Sequence, residues 1–169
     1  YFGNFLHGSL KEDDVFSMCC RLRLNIKELS NKTGGLFGAA ENTGSIGVFT
    51  INLPALGYSS KSEEELFQRL DSVMYLGYKQ LEKKREVITA NLVAGLYPAM
   101  KTYLPKKFST FFSSFGLVGA HEMCLNFLGK GIESEEGVEF TLRVVRHMKN
   151  NLVKYQEQSG NLYNLEYTP

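Results

Sequence analysis

The strongest constraint on the fold is an alternation of element types along the chain. Ile46 to Leu53 (Ile-Gly-Val-Phe-Thr-Ile-Asn-Leu) is a β-branched, mostly apolar run stopped by Pro54. Such a run reads as a buried strand of a parallel sheet. A long helix follows. Ser62 with Glu65 three residues on is a capping box, and Leu66, Leu70, Val73, Leu81, Ile88 and Leu92 recur at helical spacing up to about Leu96, with Pro98 ending the segment. Gly77 within it marks a close packing point. A second strand is expected at Phe115–Gly119, then a helix-like stretch from His121 to Leu128 broken by Gly129 and Gly131. A third helix begins after Ser134, with Glu135 and Glu136 at the positive end of its dipole. Its apolar stripe is read as Val138, Leu142, Val145, Leu152 and Tyr155. Gly160 stops it, and Asn161 to Thr168 reads as a third strand. Strand, helix, strand, helix, strand fits a parallel α/β arrangement, in a barrel or an open sheet.

Composition bounds the function classes. The 169 residues are 43% hydrophobic and 22% charged, enough for one ordinary core. A net charge of +1, with charges spread along the chain, suggests neither a nucleic-acid groove nor an anionic membrane as partner. No apolar run approaches the roughly 20 residues that span a bilayer, and no signal peptide opens the sequence, so a cytoplasmic protein is expected. Tyr1 and Thr168-Pro169 read as cuts in a longer chain. The run Lys83-Lys84-Arg85 reads as the solvated face of its helix, and His121 as a solvated or capping residue rather than a phosphate ligand.

The cysteines Cys19, Cys20 and Cys124 are odd in number, which argues for reduced thiols. None has zinc spacing with a histidine or another cysteine, so no metal is expected within this stretch. In an extended backbone, residues two apart share a face, so Met18 and Cys20 point one way and Cys19 the other. A thioether beside a thiol suits a sulfur-centred radical, because the soft neighbour shares unpaired density. The competing reading makes these cysteines small core hydrophobes.

Ser17-Met18-Cys19-Cys20-Arg21-Leu22, Gly44-Ser45-Ile46-Gly47-Val48-Phe49-Thr50-Ile51-Asn52-Leu53-Pro54, Gly116-Leu117-Val118-Gly119, and Gly160-Asn161-Leu162-Tyr163-Asn164-Leu165-Glu166 with Thr168-Pro169 resemble consecutive motifs of anaerobic (class III, glycyl-radical) ribonucleoside-triphosphate reductases. They stand in the family's order and cover nearly the whole chain. The resemblance implies that residues 1–169 are a fragment of a catalytic ten-stranded α/β barrel, with a cysteine-bearing finger loop at about 15–45 and the strand–helix alternation at 46–169. It implies that Cys20 becomes a thiyl radical beside Met18, takes hydrogen from C3′ of a ribonucleotide, and that the 2′-hydroxyl leaves as water. Glu166 is then the carboxylate that relays a proton to or from the ribose hydroxyls, and Ser45 and Asn52 are pocket residues.

Two departures bear on the reductant. Ser45 stands where formate-using members carry Asn, and Glu166 lies in a Leu-Glu-x-Thr-Pro motif resembling members fed by a redoxin. A thioredoxin- or glutaredoxin-like donor is therefore expected in place of formate, with Cys19 or Cys124 as possible redox partner. Tyr167 replaces the motif's usual Ala, and nothing in the sequence explains it. The family further implies a glycyl radical and zinc-binding cysteines in a C-terminal region, ATP or deoxynucleotide effectors, a radical S-adenosylmethionine activating enzyme and a homodimer. The alternatives are another glycyl-radical enzyme, of pyruvate formate-lyase or diol dehydratase type, and a non-catalytic α/β module.

Overall fold

The computed structural model describes residues 15–18, 22–25, 44–98 and 108–167. Strands β1 (Val15–Met18) and β2 (Leu22–Asn25) pair antiparallel, with Met18 opposite Leu22 and Val15 opposite Asn25. Cys19 and Cys20 fall between them in sequence and lie outside the described residues, as does the expected sharing of a face by Met18 and Cys20.

The remaining elements follow the expected alternation. They are β3 (Ser45–Asn52), α1 (Leu53–Ser59), α2 (Glu63–Val93), β4 (Phe112–Val118), α3 (Ala120–Leu128), α4 (Glu135–Ser159) and β5 (Leu162–Tyr167). The strands form a parallel sheet in the order β3-β4-β5. Each new strand adds to the same edge, and right-handed crossovers then put both connecting helices on one face. The packing agrees. On α2, Asp71 Oδ1 accepts from Asn151 Nδ2 at 2.6 Å and shares a 2.5 Å hydrogen bond with His147 Nε2, both partners on α4. Arg143 of α4 also donates to both carboxylate oxygens of Glu63, at 2.8 and 3.0 Å.

The core lies between these helices and the odd-numbered strand residues. Phe49, Phe115 and Leu165 stand in one cross-strand row, and Phe115 and Tyr163 meet Tyr155 of α4. Gly77 is the close packing point its position suggested: a Cβ there would lie 2.6 Å from Phe49 Cδ1 and 2.8 Å from Phe115 Cε1. The opposite face of the sheet carries no described helix. There Val48, Thr50 and Asn52 of β3 are exposed, so the expected buried strand is covered on one side only.

Several boundaries and faces differ from expectation. Ser62 does cap α2, accepting from Glu65 N at 3.2 Å, but the Glu65 carboxylate reaches back to the amide of Lys61, at 2.9 Å. The helix ends at Val93, before Pro98, where Gly95 turns the chain with φ +78°. Pro54 does not simply stop β3; it sits in the first turn of the unforeseen α1, where its missing N–H costs nothing. Strand β4 starts at Phe112, not Phe115. On α4 the buried stripe is Phe140, Val144, Met148, Leu152 and Tyr155, while Val138 and Leu142 are exposed. Arg85 is not on a solvated face. It follows Leu81 by four residues on the buried stripe of α2, while Lys83 and Lys84 are exposed.

Candidate active site

The sheet's period of two puts Ser114 of β4 and Asn164 and Glu166 of β5 on the helix-free face. Val48, Ser114 and Asn164 form one cross-strand row; Thr50, Gly116 and Glu166 form the next, nearer the carboxyl ends of the strands. Ser114 Oγ lies 2.7 Å from Asn164 Oδ1 and 2.9 Å from Glu166 Oε1, and Asn164 Nδ2 donates to the same Glu166 oxygen at 3.1 Å. The three side chains stand within hydrogen-bond distance of one another, the single Ser114 proton serving one acceptor at a time. Between Glu166 and Thr50 stands Gly116, where a Cβ would approach Thr50 Oγ1 to 2.8 Å. The absence of a side chain there leaves room for the Thr50 side chain beside the middle strand.

Helix α2 holds this face in place from behind. Arg85 donates to the carbonyls of Phe108 and Phe111, the latter at 2.9 Å, and to Ser113 Oγ at 3.0 Å, which fixes the start of β4. Glu82, three residues earlier, accepts from Tyr163 Oη at 2.5 Å and from Asn161 Nδ2 at 2.8 Å, which fixes the start of β5. Burial holds the Arg85 guanidinium below its usual range and pushes the Tyr163 phenol up, helped by its bond to Glu82. Each strand of the site is thus tied to one helix, one turn apart.

At the carboxyl ends of the strands, the chain turns straight into α1 and α3. Asn52 Oδ1 caps α1, accepting from Ala55 N at 3.1 Å. Gly119, with φ +74°, begins α3, and a Cβ on it would collide with Pro54 Cγ at 2.3 Å, so the two helix starts abut. Asn126 Nδ2 on α3 donates to Pro54 O at 3.0 Å.

A family model described as anaerobic ribonucleoside-triphosphate reductase matches residues 1–169. The chain belongs to that family. It is 25% identical over 139 residues to the anaerobic ribonucleoside-triphosphate reductase of Haemophilus influenzae, covering 73% of this chain and 20% of that protein. A solved anaerobic ribonucleotide reductase aligns with a TM-score of 0.66 and 27% identity over 74% of this chain and 21% of its own. The Thermotoga maritima enzyme with citrate in the active site aligns at 0.64, with 26% identity over 74% of this chain and 24% of its own. The chain therefore spans about a fifth of the length of these relatives. Membership in this family sets aside the pyruvate formate-lyase and diol dehydratase readings.

Against this geometry the expected site residues separate. Glu166 lies on the open face, and Asn52 lies on the same face of β3, two residues beyond Thr50, with its side chain committed to the α1 cap. Ser45 is exposed at the other end of β3, five residues before Thr50, or roughly 16 Å along the strand. Cys124 is fully buried between α3 and α4, its Sγ 3.3 Å from Thr141 Oγ1 and 3.6 Å from Gly137 O. Cys19 and Cys20 lie outside the described residues. His121 is exposed beside Glu133, at 3.4 Å. Among the described residues, no group of three or more His, Cys, Asp or Glu is placed to hold a metal ion. No described helix is long and apolar enough to cross a membrane.

Two residues of the site, Ser114 and Asn164, are missed by sequence reasoning. Asn164 is within its reach, since a residue two before Glu166 shares its face in any strand. Ser114 is hidden because the apolar pattern begins the strand one residue after it.

Proposed function

We propose that this chain supplies part of the radical active site for anaerobic reduction of ribonucleoside triphosphates to 2′-deoxyribonucleotides, as a segment of the family's ten-stranded barrel. The observation that carries the reading is the placement of Glu166. It lies on the helix-free face of a parallel sheet, toward the carboxyl ends of the strands, where α/β enzymes gather their chemistry. In a barrel this face is the interior, shielded from water and from stray hydrogen donors.

Within that reading, Cys20 carries the thiyl that takes hydrogen from C3′, with Met18 as its sulfur neighbour. The family's glycyl radical, borne outside residues 1–169, would supply the abstraction that generates it. Loss of the 2′-hydroxyl as water requires a proton at that oxygen, and a neighbouring hydroxyl must lose one. Glu166 serves both needs as a general base and acid at hydrogen-bond reach of the ribose. Thr50, in the same cross-strand row as Gly116 and Glu166, offers a second hydroxyl to the substrate.

A redoxin-type donor fits better than formate, because Ser45 lacks the amide of the formate-using members and Glu166 lies in the redoxin-type motif. The burial of Cys124 supports Cys19 as the remaining candidate for thiol exchange. Regulation by ATP or deoxynucleotides, activation by a radical S-adenosylmethionine enzyme, dimerisation, zinc in the C-terminal region and a cytoplasmic setting accompany this reading as family properties.

The test is nucleotide reduction by the full-length, activated enzyme under anaerobic conditions. Cys20→Ala and Glu166→Gln are each expected to abolish deoxynucleotide formation, and a thioredoxin system, not formate, to sustain turnover. Reduction retained by Cys20→Ala overturns the radical assignment; turnover with formate alone overturns the donor.

A further inference from the structure

Ser114 is 1% exposed in the middle strand, yet it is polar, and its hydroxyl has one proton for two acceptors. That proton can go to Asn164 Oδ1 or to Glu166 Oε1, while Asn164 Nδ2 donates to Glu166 Oε1 in either case. Both donors therefore converge on one carboxylate oxygen. Among the described residues Oε2 has no hydrogen-bond partner and is the oxygen left for a substrate. A carboxylate anion is held best when Ser114 and Asn164 both donate to Oε1. When Oε2 takes up a proton the need for the second donor ends, and the hydroxyl satisfies Asn164 Oδ1 instead. A rotation about one serine bond matches both states of the acid.

We propose that Ser114 is a positioning residue for Glu166: it fixes Oε2 as the reacting oxygen and moves its hydrogen bond between Glu166 and Asn164 with each proton transfer. This rests on the reading of Glu166 as the proton relay. The step is a proton transfer only. A substrate O–H bond breaks, an Oε2–H bond forms, and the negative charge passes from the carboxylate to the substrate oxygen; the reverse transfer returns the proton to the leaving hydroxyl, which departs as water.

No other charged group in the described surroundings competes for this role. On the helix-free face β4 presents Ser114 and Gly116, and β3 presents Val48 and Thr50, none of them ionisable. Beside Glu166 on its own strand is Tyr167, and on α4 the charged group lining the groove along β5 is Lys149.

The experiment is kcat and KM for the full-length activated enzyme carrying Ser114→Ala, Ser114→Thr or Asn164→Ala, with thermal unfolding measured in parallel. Without the Ser114 donor Oε2 is no longer fixed as the reacting oxygen, so kcat should fall about tenfold in Ser114→Ala while KM stays within about twofold and the unfolding midpoint is kept, and Ser114→Thr should restore the parental kcat. Asn164→Ala, at a less buried position, should lower kcat in the same way and decides the matter should Ser114→Ala fail to fold. A parental kcat in Ser114→Ala or, in its place, Asn164→Ala overturns the proposal. Glu166→Gln separates the two levels of the reading. Retained activity removes the proton relay itself, whereas an inactive Glu166→Gln beside a fully active Ser114→Ala removes only the role of Ser114.

Discussion

Arg85 and Ser113 meet across the sheet–helix interface, Nη2 donating to Oγ at 3.0 Å, and this bond sits directly behind Ser114. Strand geometry turns adjacent serines to opposite faces. Ser113 faces the helices and is held by Arg85; Ser114 faces the helix-free side and is held by Asn164 and Glu166. The anchor of β4 and the working face of β4 are thus neighbours in sequence.

The first prediction follows from that anchor. Arg85 also binds two carbonyls of the Phe108–Phe111 turn. Arg85→Met keeps the stem and deletes every donor, leaving buried acceptors unpaired, and should cost about 3 kcal/mol. Arg85→Lys should recover only a minor part, because an ammonium cannot span three acceptors with a planar fork. Urea unfolding midpoints check this, and equal stability of parent and Arg85→Met would show that the network carries no weight.

Gly77→Ala sets two effects against each other. Alanine favours a helix interior by about 1 kcal/mol over glycine, but its Cβ would enter the space of the Phe49 and Phe115 rings. Phe115 is fully buried and has no room to withdraw. Overpacking should win, with a net loss of about 1–2 kcal/mol, read as a lower thermal midpoint. A gain in stability would mean that the rings can move aside.

Particular residues show how far the sequence could be read. The order of strands and helices was legible because parallel pairing demands a long crossover after each strand, and the turn signals at Ser62, Ser134 and Gly160 mark those crossovers. The orientation of α4 was not, because the helix carries apolar residues on two faces. Val138 and Leu142 repeat at helical spacing as well as Phe140 and Val144 do, and only the sheet decides which set is covered. Arg85 was lost within a basic run, although its distance of four from Leu81 put it on the buried stripe. Glu166 stands out only through the resemblance of its motif to a family, since a carboxylate near a strand's end has no periodic signature. Its partner Ser114 needed the register between β4 and β5, a long-range pairing that local pattern does not contain.

Cys124 is expected to be chemically silent. Its thiol is fully buried and hydrogen-bonded to Thr141 and Gly137, out of reach of reagents in solvent. In the native full-length protein it should resist iodoacetamide and become labelled only in denaturant, as peptide mass spectrometry can show. Cys124→Ala should retain turnover with a thioredoxin system. Loss of that turnover in a folded variant would give the residue a redox part.

The tyrosines behind the sheet set the alkaline limit of the fold. Tyr78 stacks on Tyr155 at 4.5 Å between ring centroids, and both lie near Tyr163. Burial raises all three phenols. Tyr155 is pushed up to about 12, with the charge of Asp71 adding to the effect, and for Tyr163 the bond donated to Glu82 adds to it. A phenol raised in the fold keeps its proton there after the unfolded chain has begun to ionise near pH 10. The stabilisation is therefore complete below pH 10 and lost as pH climbs toward 12. Each tenfold gain in proton affinity is worth roughly 1.4 kcal/mol, so Tyr155 contributes about 3 kcal/mol. Tyrosinate absorbance should consequently rise together with the loss of helical circular dichroism, as one transition above pH 10. Ionisation of these tyrosines at pH 10 in a protein with intact dichroism would mean that the cluster is open to water. Tyr163→Phe should leave the transition in place while lowering stability at neutral pH by about 1–2 kcal/mol, because Glu82 then loses its phenolic donor.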